Sequence, residues 1–382
     1  MSKLGSLPQI RRYLHSMPEL SGNEAETSKF IIDKINTLKP AGLIEKLGGY
    51  GVAAIFRGKN PGPRIMFRSD MDALPIQEIN DFPHKSTKAG VGHKCGHDGH
   101  MTIMLGLAEK ISALHGDFAG EAVMLFQPAE EIAAGAKAIV RDEKFKDIEP
   151  DYIFGLHNLP GYPKGSIIAR DGVFASASNG FKARLMGETS HAGHPENGRN
   201  PVLAMVSLIN GLIAIPQMET GFSASALITV IHARLGEEAF GTSPGFAEVM
   251  ATFRSHTNED MEKMSTAALH LTGKLAEAHK LDYETEWVEV FPAMLNDDKC
   301  VKLIRDSARS LGVEIVNKPE PFPWSEDFAY YTENYRGGFF GLGAGVDTRQ
   351  LHNPDYDFPD ELLDSGVNIF YEIFSKLLKD FK

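Results

Sequence analysis

Sulfur is scarce in this sequence. Cys95 and Cys300 are the only two cysteines among 382 residues, too few for a disulfide framework, so a reducing, cytoplasmic setting is expected. Positive charge is also short. Lysine and arginine number 39 against 51 acidic residues, a formal net charge of -12, and nucleic-acid binding needs a basic footprint instead. No Gly-Lys-Ser/Thr occurs, and no Gly-x-Gly-x-x-Gly opens a helix after the first strand, which argues against nucleotide binding. Gly337-Gly338 and the alternating Gly341, Gly343 and Gly345 resemble phosphate loops only loosely. Residues 1–6 lack the apolar core of a signal peptide, and no run of the ~18 to 20 apolar residues that span a bilayer is read, so no membrane partner is expected. Aromatic residues, at 9%, are dispersed and suit core packing. What is present, 42% hydrophobic and 24% charged residues, is ordinary for a globular protein long enough for two domains.

Periodicity organises the chain. Residues 7–14, 24–38, 101–114 and 135–140 carry helical spacing, while 52–56, 65–67, 122–126 and 152–156 are short apolar runs that read as strands. This alternation predicts an α/β fold with a mostly parallel sheet covered by helices. From residue 179 the rhythm changes to strand (181–186), helix (201–213), two strands (227–233, 246–253), helix (258–279) and strand (285–290). That order belongs to a ferredoxin-like α+β unit. The expected organisation is a discontinuous catalytic domain, 1–178 and 292–382, with an inserted satellite domain at 179–291.

The chemistry concentrates in His93-Lys94-Cys95-Gly96-His97-Asp98-Gly99-His100. Cys95 and His97 are separated by one glycine, and alternate residues of an extended stretch face the same way, so thiolate and imidazole can share one centre. The helix that follows would aim its N-terminal dipole there and favour the thiolate. Read alone, Cys95 is as easily a buried structural thiol; the surrounding histidines tip the balance. Asp70 and Asp72 follow an apolar strand and suit metal ligation or histidine orientation, although an isolated Asp-x-Asp is more often a polar turn. Glu130-Glu131, read as a helix start, would point about 100° apart. One carboxylate can then hold a metal while the other takes a proton from water. His157 and His352 complete a nitrogen, oxygen and sulfur donor set large enough for two metals. His191, after a strand of the satellite domain, could donate to a developing oxyanion; a surface histidine is the plain alternative.

These motifs, in this order, resemble the zinc- or manganese-dependent aminoacylase and carboxypeptidase family, in its amidohydrolase branch of hippurate hydrolases, N-acyl amino acid deacylases and auxin-conjugate hydrolases. The resemblance runs almost end to end, through His15-Ser16-Met17-Pro18-Glu19-Leu20 with Glu24, Asp70-Met71-Asp72, the His93 to His100 run, Gln127-Pro128-Ala129-Glu130-Glu131, His157-Asn158, Ser190-His191-Ala192, Ser325-Glu326-Asp327-Phe328 and Leu351-His352-Asn353-Pro354. It implies two divalent metal ions, zinc or manganese, held by Cys95, His97, Glu131, His157 and His352, with Cys95 as the bridging ligand. Glu130 is implied as general base and acid, and His191 as a histidine offered to the partner's active site in a homodimer built through the satellite domain. Glu19, Asp70, Asp72 and Asp98 would orient ligands or hold the fold. The implied reaction is attack of metal-activated water on the amide of an N-acyl amino acid, a related small amide or a dipeptide. One departure stands out. Where relatives carry an Asn-x-Ile-Pro segment this chain reads Phe240-Gly241-Thr242-Ser243-Pro244-Gly245-Phe246, without the asparagine, while Arg254 matches a later arginine. Chemistry is thus retained where substrate recognition is altered.

Two other readings compete. One is a metal- or ligand-binding protein that kept the fold without turnover, against which stand Glu130 and all five ligands. The other is a cysteine amidase with Cys95 as nucleophile and His97 as base, which a chelator would leave active.

Overall fold

The apolar runs become strands buried on both faces, as a sheet sandwiched between helices requires. The computed structural model describes residues 3–379, and the chain divides into two compact units. The first comprises residues 3–174, Leu295–Glu320 and 327–379; the second comprises Ala175–Met294 and Pro321–Glu326.

An eight-stranded mixed sheet forms the first unit, in the order Gly42–Leu47, Gly51–Arg57, Ala119–Gln127, Asn60–Asp70, Tyr152–Pro160, Arg336–Gly345, Ile167–Ala169, Ile315–Asn317. Four neighbouring pairs are parallel, among them all three that join the four central strands from Ala119–Gln127 to Arg336–Gly345. The other three pairs are antiparallel. Helices Leu7–Ser16, Ala25–Leu38, His97–Ser112, Asp298–Ser310 and Leu362–Lys379 contribute to one large core with Phe67, Phe154, Leu156 and Phe340 of the sheet. The His97–Ser112 helix is buried along most of its length, so it sits inside the unit and its N-terminus is fixed by packing on several sides. Parallel central strands gather their C-terminal residues at one edge, where open α/β sheets carry their chemistry.

The second unit is a four-stranded antiparallel sheet, ordered Ala226–Leu235, Phe246–Ser255, Ala177–Met186, Asp282–Phe291, with helices Val202–Glu219 and Asn258–Ala278. This is the strand order of the ferredoxin-like arrangement. Pro321–Glu326 joins this unit, outside the expected 179–291 segment, because Phe322 bridges Ala175 and the Pro323 carbonyl accepts a 2.7 Å hydrogen bond from Arg254. Val202–Glu219 also corrects the expectation that no run reaches membrane-spanning length: it is long and apolar enough by composition. Here Ala204, Leu208, Leu212 and Ile215 are buried within the unit, so its apolarity serves packing on that face.

Candidate metal centre

Three strand ends, the turns that follow and one helix start build the site. Asp70 closes the Asn60–Asp70 strand opposite Gln127 in parallel register, and His157 and Asn158 lie near the end of Tyr152–Pro160. Cys95 and His97 do not converge by extended alternation, as their spacing suggested. Gly96 adopts a left-handed conformation, φ 92°, and His97 is already the first residue of the helix. That turn folds thiol and imidazole onto the same side. Glu130 and Glu131 likewise stand in a turn rather than at a helix start. Ala129 and Ala133 both take positive φ, 52° and 56°, a strained backbone of the sort that concentrates at functional sites. Two groups brace that turn: the Glu24 carboxylate accepts from the Ala129 N–H at 2.8 Å, and Asp72 Oδ2 accepts from the Glu131 N–H at 3.0 Å.

Donor atoms within 4.8 Å of one another form overlapping groups: Cys95, His97 and His157; Cys95, Glu131 and His352; His97, Glu130 and Glu131. Cys95 belongs to the first two. Its Sγ lies 3.3 Å from His157 Nε2. The His97 Nδ1–H donates to the Asp72 carbonyl at 2.9 Å, which turns Nε2 inward, 3.7 Å from Asp70 Oδ2 and 3.7 Å from Glu131 Oε1. Among the described residues, His97 Nε2 and Glu131 Oε1 are buried without a hydrogen-bond partner. Most buried polar atoms in proteins are paired, and these two, which face the other donors, fit a cation that would accept their lone pairs. His100 belongs to a further group with Asp70 and His97, but its nitrogens are committed at 2.7 Å to Asp70 and 2.6 Å to Asn158. His352 stands half-exposed, 3.9 Å from Glu131.

The electrostatics are those of a buried carboxylate cluster around imidazole and thiol. Burial works against a charged His97, yet Asp70, Asp72 and Glu131 override it and raise the imidazole to about 10. Burial, with Asp72 and Asp70, lifts Glu131 to about 7. Burial together with Glu131, Glu130 and Asp70 pushes the Cys95 thiol well above its usual value, the reverse of the thiolate expected from the helix dipole alone. A bound cation would make Cys95 a thiolate. The same shift counts against an unassisted cysteine nucleophile, and the imidazole at 3.3 Å from Cys95 Sγ is that of His157.

Outside the donors, Glu19 accepts from the Thr27 N–H at 2.8 Å and ties down the second helix. Asp98 is held by His15 at 2.9 Å and Arg11 at 3.4 Å. The sequence reading missed the guanidinium of Arg68, which donates to Asp70 at 3.0 Å, Gln127 at 2.8 Å and Asp327 at 2.7 Å in a fully buried network. An arginine inside the apolar run Ile65-Met66-Phe67-Arg68 was the available signal. In the second unit, His191 is exposed and pairs with Thr242 in a two-stranded ribbon, Ser190–His191 with Thr242–Ser243. The segment that lacks the family asparagine therefore lies beside His191. Arg254 is half-buried on the Phe246–Ser255 strand.

A donor set of one thiol, imidazoles and carboxylates, with three groups that share members, defines a metal-dependent amidohydrolase or peptidase with a dinuclear divalent-metal site. Residues 66–376 match the sequence profile of Peptidase family M20/M25/M40, and the chain belongs to that family. It is 32% identical to N-acetyl-L-cysteine deacetylase of Bacillus subtilis (strain 168) over 97% of this chain and 87% of that protein. It is 31% identical to hippurate hydrolase of Campylobacter jejuni over 98% and 97% of the two chains. Among solved structures, the Bacillus subtilis YXEP protein, a dinuclear metal-binding peptidase of the M20 family, superposes with a TM-score of 0.82 at 29% identity, covering 98% of each chain.

Proposed function

We propose that this protein hydrolyses the amide bond of an N-acyl amino acid or a related small amide or dipeptide, with Glu130 as proton carrier. Cys95, His97 and His157 would hold one divalent ion and Cys95, Glu131 and His352 the other, zinc or manganese, with the thiolate shared. The single observation that carries the reading is the membership of Cys95 in both donor groups. Bound ions supply Lewis acidity and lower the pKa of water. The protein's own residues do the rest. Glu130 is buried, within 4.8 Å of donor atoms of His97 and Glu131, where its carboxylate takes a proton from the attacking water and returns one to the departing nitrogen. The Asp72 carbonyl fixes the His97 tautomer, and Asp70 and Asp98 keep the start of the helix in place. Arg254 is proposed for substrate recognition, and His191 for oxyanion stabilisation in a partner's site.

The relatives named above act on N-acetylcysteine and on hippurate by name, so both belong in the test panel. Metal-replete protein is expected to release free amino acid from members of a panel of N-acyl amino acids and dipeptides, and chelation to silence it. Absence of turnover on every member would sink the proposal. Glu130→Gln is expected to lower kcat by ~10²- to 10⁴-fold while the metal content measured by mass spectrometry stays at two ions.

The domain roles follow the same proposal: 1–178 with 292–382 catalytic, 179–291 for dimerisation. Leu203, Ile213 and Met218 on the Val202–Glu219 helix, and Leu227 and Ile231 on the edge strand Ala226–Leu235, are exposed apolar side chains, which supports a second copy as the partner. Light scattering should give twice the chain mass. Both cysteines are unpaired, which supports a reducing, cytoplasmic location.

A further inference from the structure

The sheet of the first unit changes direction at its far edge. Ile167–Ala169 runs antiparallel to Arg336–Gly345, and Ile315–Asn317 runs parallel to Ile167–Ala169. Their C-terminal ends therefore lie at the opposite end of the sheet from the donor cluster. In each strand the next residue is a cation, Arg170 and Lys318. The Lys318 N–H donates to the Ala169 carbonyl at 3.0 Å, which keeps the two chain ends side by side. The Asp298–Ser310 helix packs against this pair of strands and adds Arg305 and Arg309 one turn apart.

These four cations line one cavity of about 500 Å³ together with Asp171 and Asn317. Arg170, Arg305, Arg309 and Lys318 line it with one carboxylate, Asp171, on a chain whose net charge is -12, and Arg309 Nη1 also donates to Asp306 Oδ1 at 2.7 Å just outside the lining. Arg305 is already oriented: Nη1 donates to Asp171 Oδ1 at 2.6 Å and Nε to Asn317 Oδ1 at 3.2 Å. Arg170 donates through Nη1 to the Asp171 carbonyl at 2.6 Å. Among the described residues its Nε is buried without an acceptor, so this guanidinium is not saturated by the protein. The negative pole at the helix C-terminus explains a cation at Arg309 in the last turn. It does not explain Arg170 and Lys318, which come from two other elements.

We propose that this cavity binds a small oxyanion of the phosphoryl class, carrying two or more negative charges. Arginine forks present paired N–H donors to oxygen. Donors arriving from two strand ends and a helix are not coplanar, which suits a tetrahedral group better than a flat carboxylate.

Calorimetric titration of the metal-loaded full chain with orthophosphate, and separately with glycerol phosphate, tests this against sodium chloride at matched ionic strength. Saturable binding of orthophosphate or glycerol phosphate is expected, with Arg170→Gln weakening it about tenfold and Arg309→Gln less, as loss of charge-assisted hydrogen bonds predicts. Tighter orthophosphate binding marks a free ion; tighter glycerol phosphate binding marks a phosphoryl group carried on an organic molecule. Hydrolysis of the N-acyl amino acid panel should be unchanged in both variants. Arg309 is solvent-exposed, so its variant should fold even if Arg170→Gln does not. Heats that chloride reproduces, or phosphate binding undiminished in both variants, would overturn the assignment.

Discussion

Gly96 is where backbone geometry and metal chemistry meet. At φ 92° a side chain is strained, and a Cβ would lie 2.4 Å from Asn158 Oδ1. Gly96→Ala is therefore expected to cost about 1–3 kcal/mol in backbone strain and to displace both Cys95 and His97. Equilibrium dialysis should show weaker zinc retention in that variant; wild-type affinity would mean the turn is not what joins the two donors. His15 offers a test by pH. It lies between Asp98 at 2.9 Å and Glu78 at 3.0 Å. Burial opposes its charge, yet these carboxylates raise it from 6.5 to about 9. A raised folded pKa means this stabilisation is complete below 6.5 and disappears as pH climbs through about 9. Urea midpoints of wild type should fall across that interval, and those of His15→Gln should fall less. Equal slopes would place the titrating charge elsewhere.

Among the elements, the Asn60–Asp70 strand does two jobs through its last three residues. Arg68 is fully buried and joins Asp70 to Gln127 and Asp327, so three segments of the first unit are locked at one strand end. Arg68→Met removes the guanidinium that lies between the buried Asp70 and Asp327 carboxylates, a change expected to cost about 3–5 kcal/mol, readable as a lowered denaturant midpoint. A midpoint within experimental error of wild type would refute the role. Such elements also show what the sequence discloses. Val52 to Phe56 and Ala122 to Phe126 were readable as strands because their apolar runs are unbroken, and the donors were readable because soft and hard ligands crowd one octapeptide. Arg336–Gly345 was not, since five of its ten residues are glycine. Its identity as a central strand comes from crowding: a Cβ on Gly341 would meet Leu159 at 2.2 Å, and one on Gly343 the Pro163 carbonyl at 2.1 Å. The left-handed turn at Gly96 and the strained turn around Glu130 were hidden too, because spacing alone records distance along the chain and not its handedness.

For the molecule as a whole, metal loading and stability are one equilibrium. Cys95, His97 and Glu131 are all shifted toward their protonated forms, Cys95 and Glu131 by burial and all three by the surrounding carboxylates, so metal uptake is expected to expel protons. Adding zinc to metal-free protein should release protons, seen as a buffer-dependent heat, and should raise stability by about 2.7 kcal/mol at a hundredfold excess over Kd. Zinc binding with no proton release would contradict the arrangement of donors. The glycine-rich central strand has a different bearing on how this protein can change. Positions where even a methyl group collides with neighbouring backbone leave selection no alternatives. In a saturation library, Gly343, where a Cβ would meet the Pro163 carbonyl, would therefore stand out as sharply as the cation donors, though for want of space instead of chemistry. Intolerance to replacement in this protein is thus not by itself a map of its catalytic machinery.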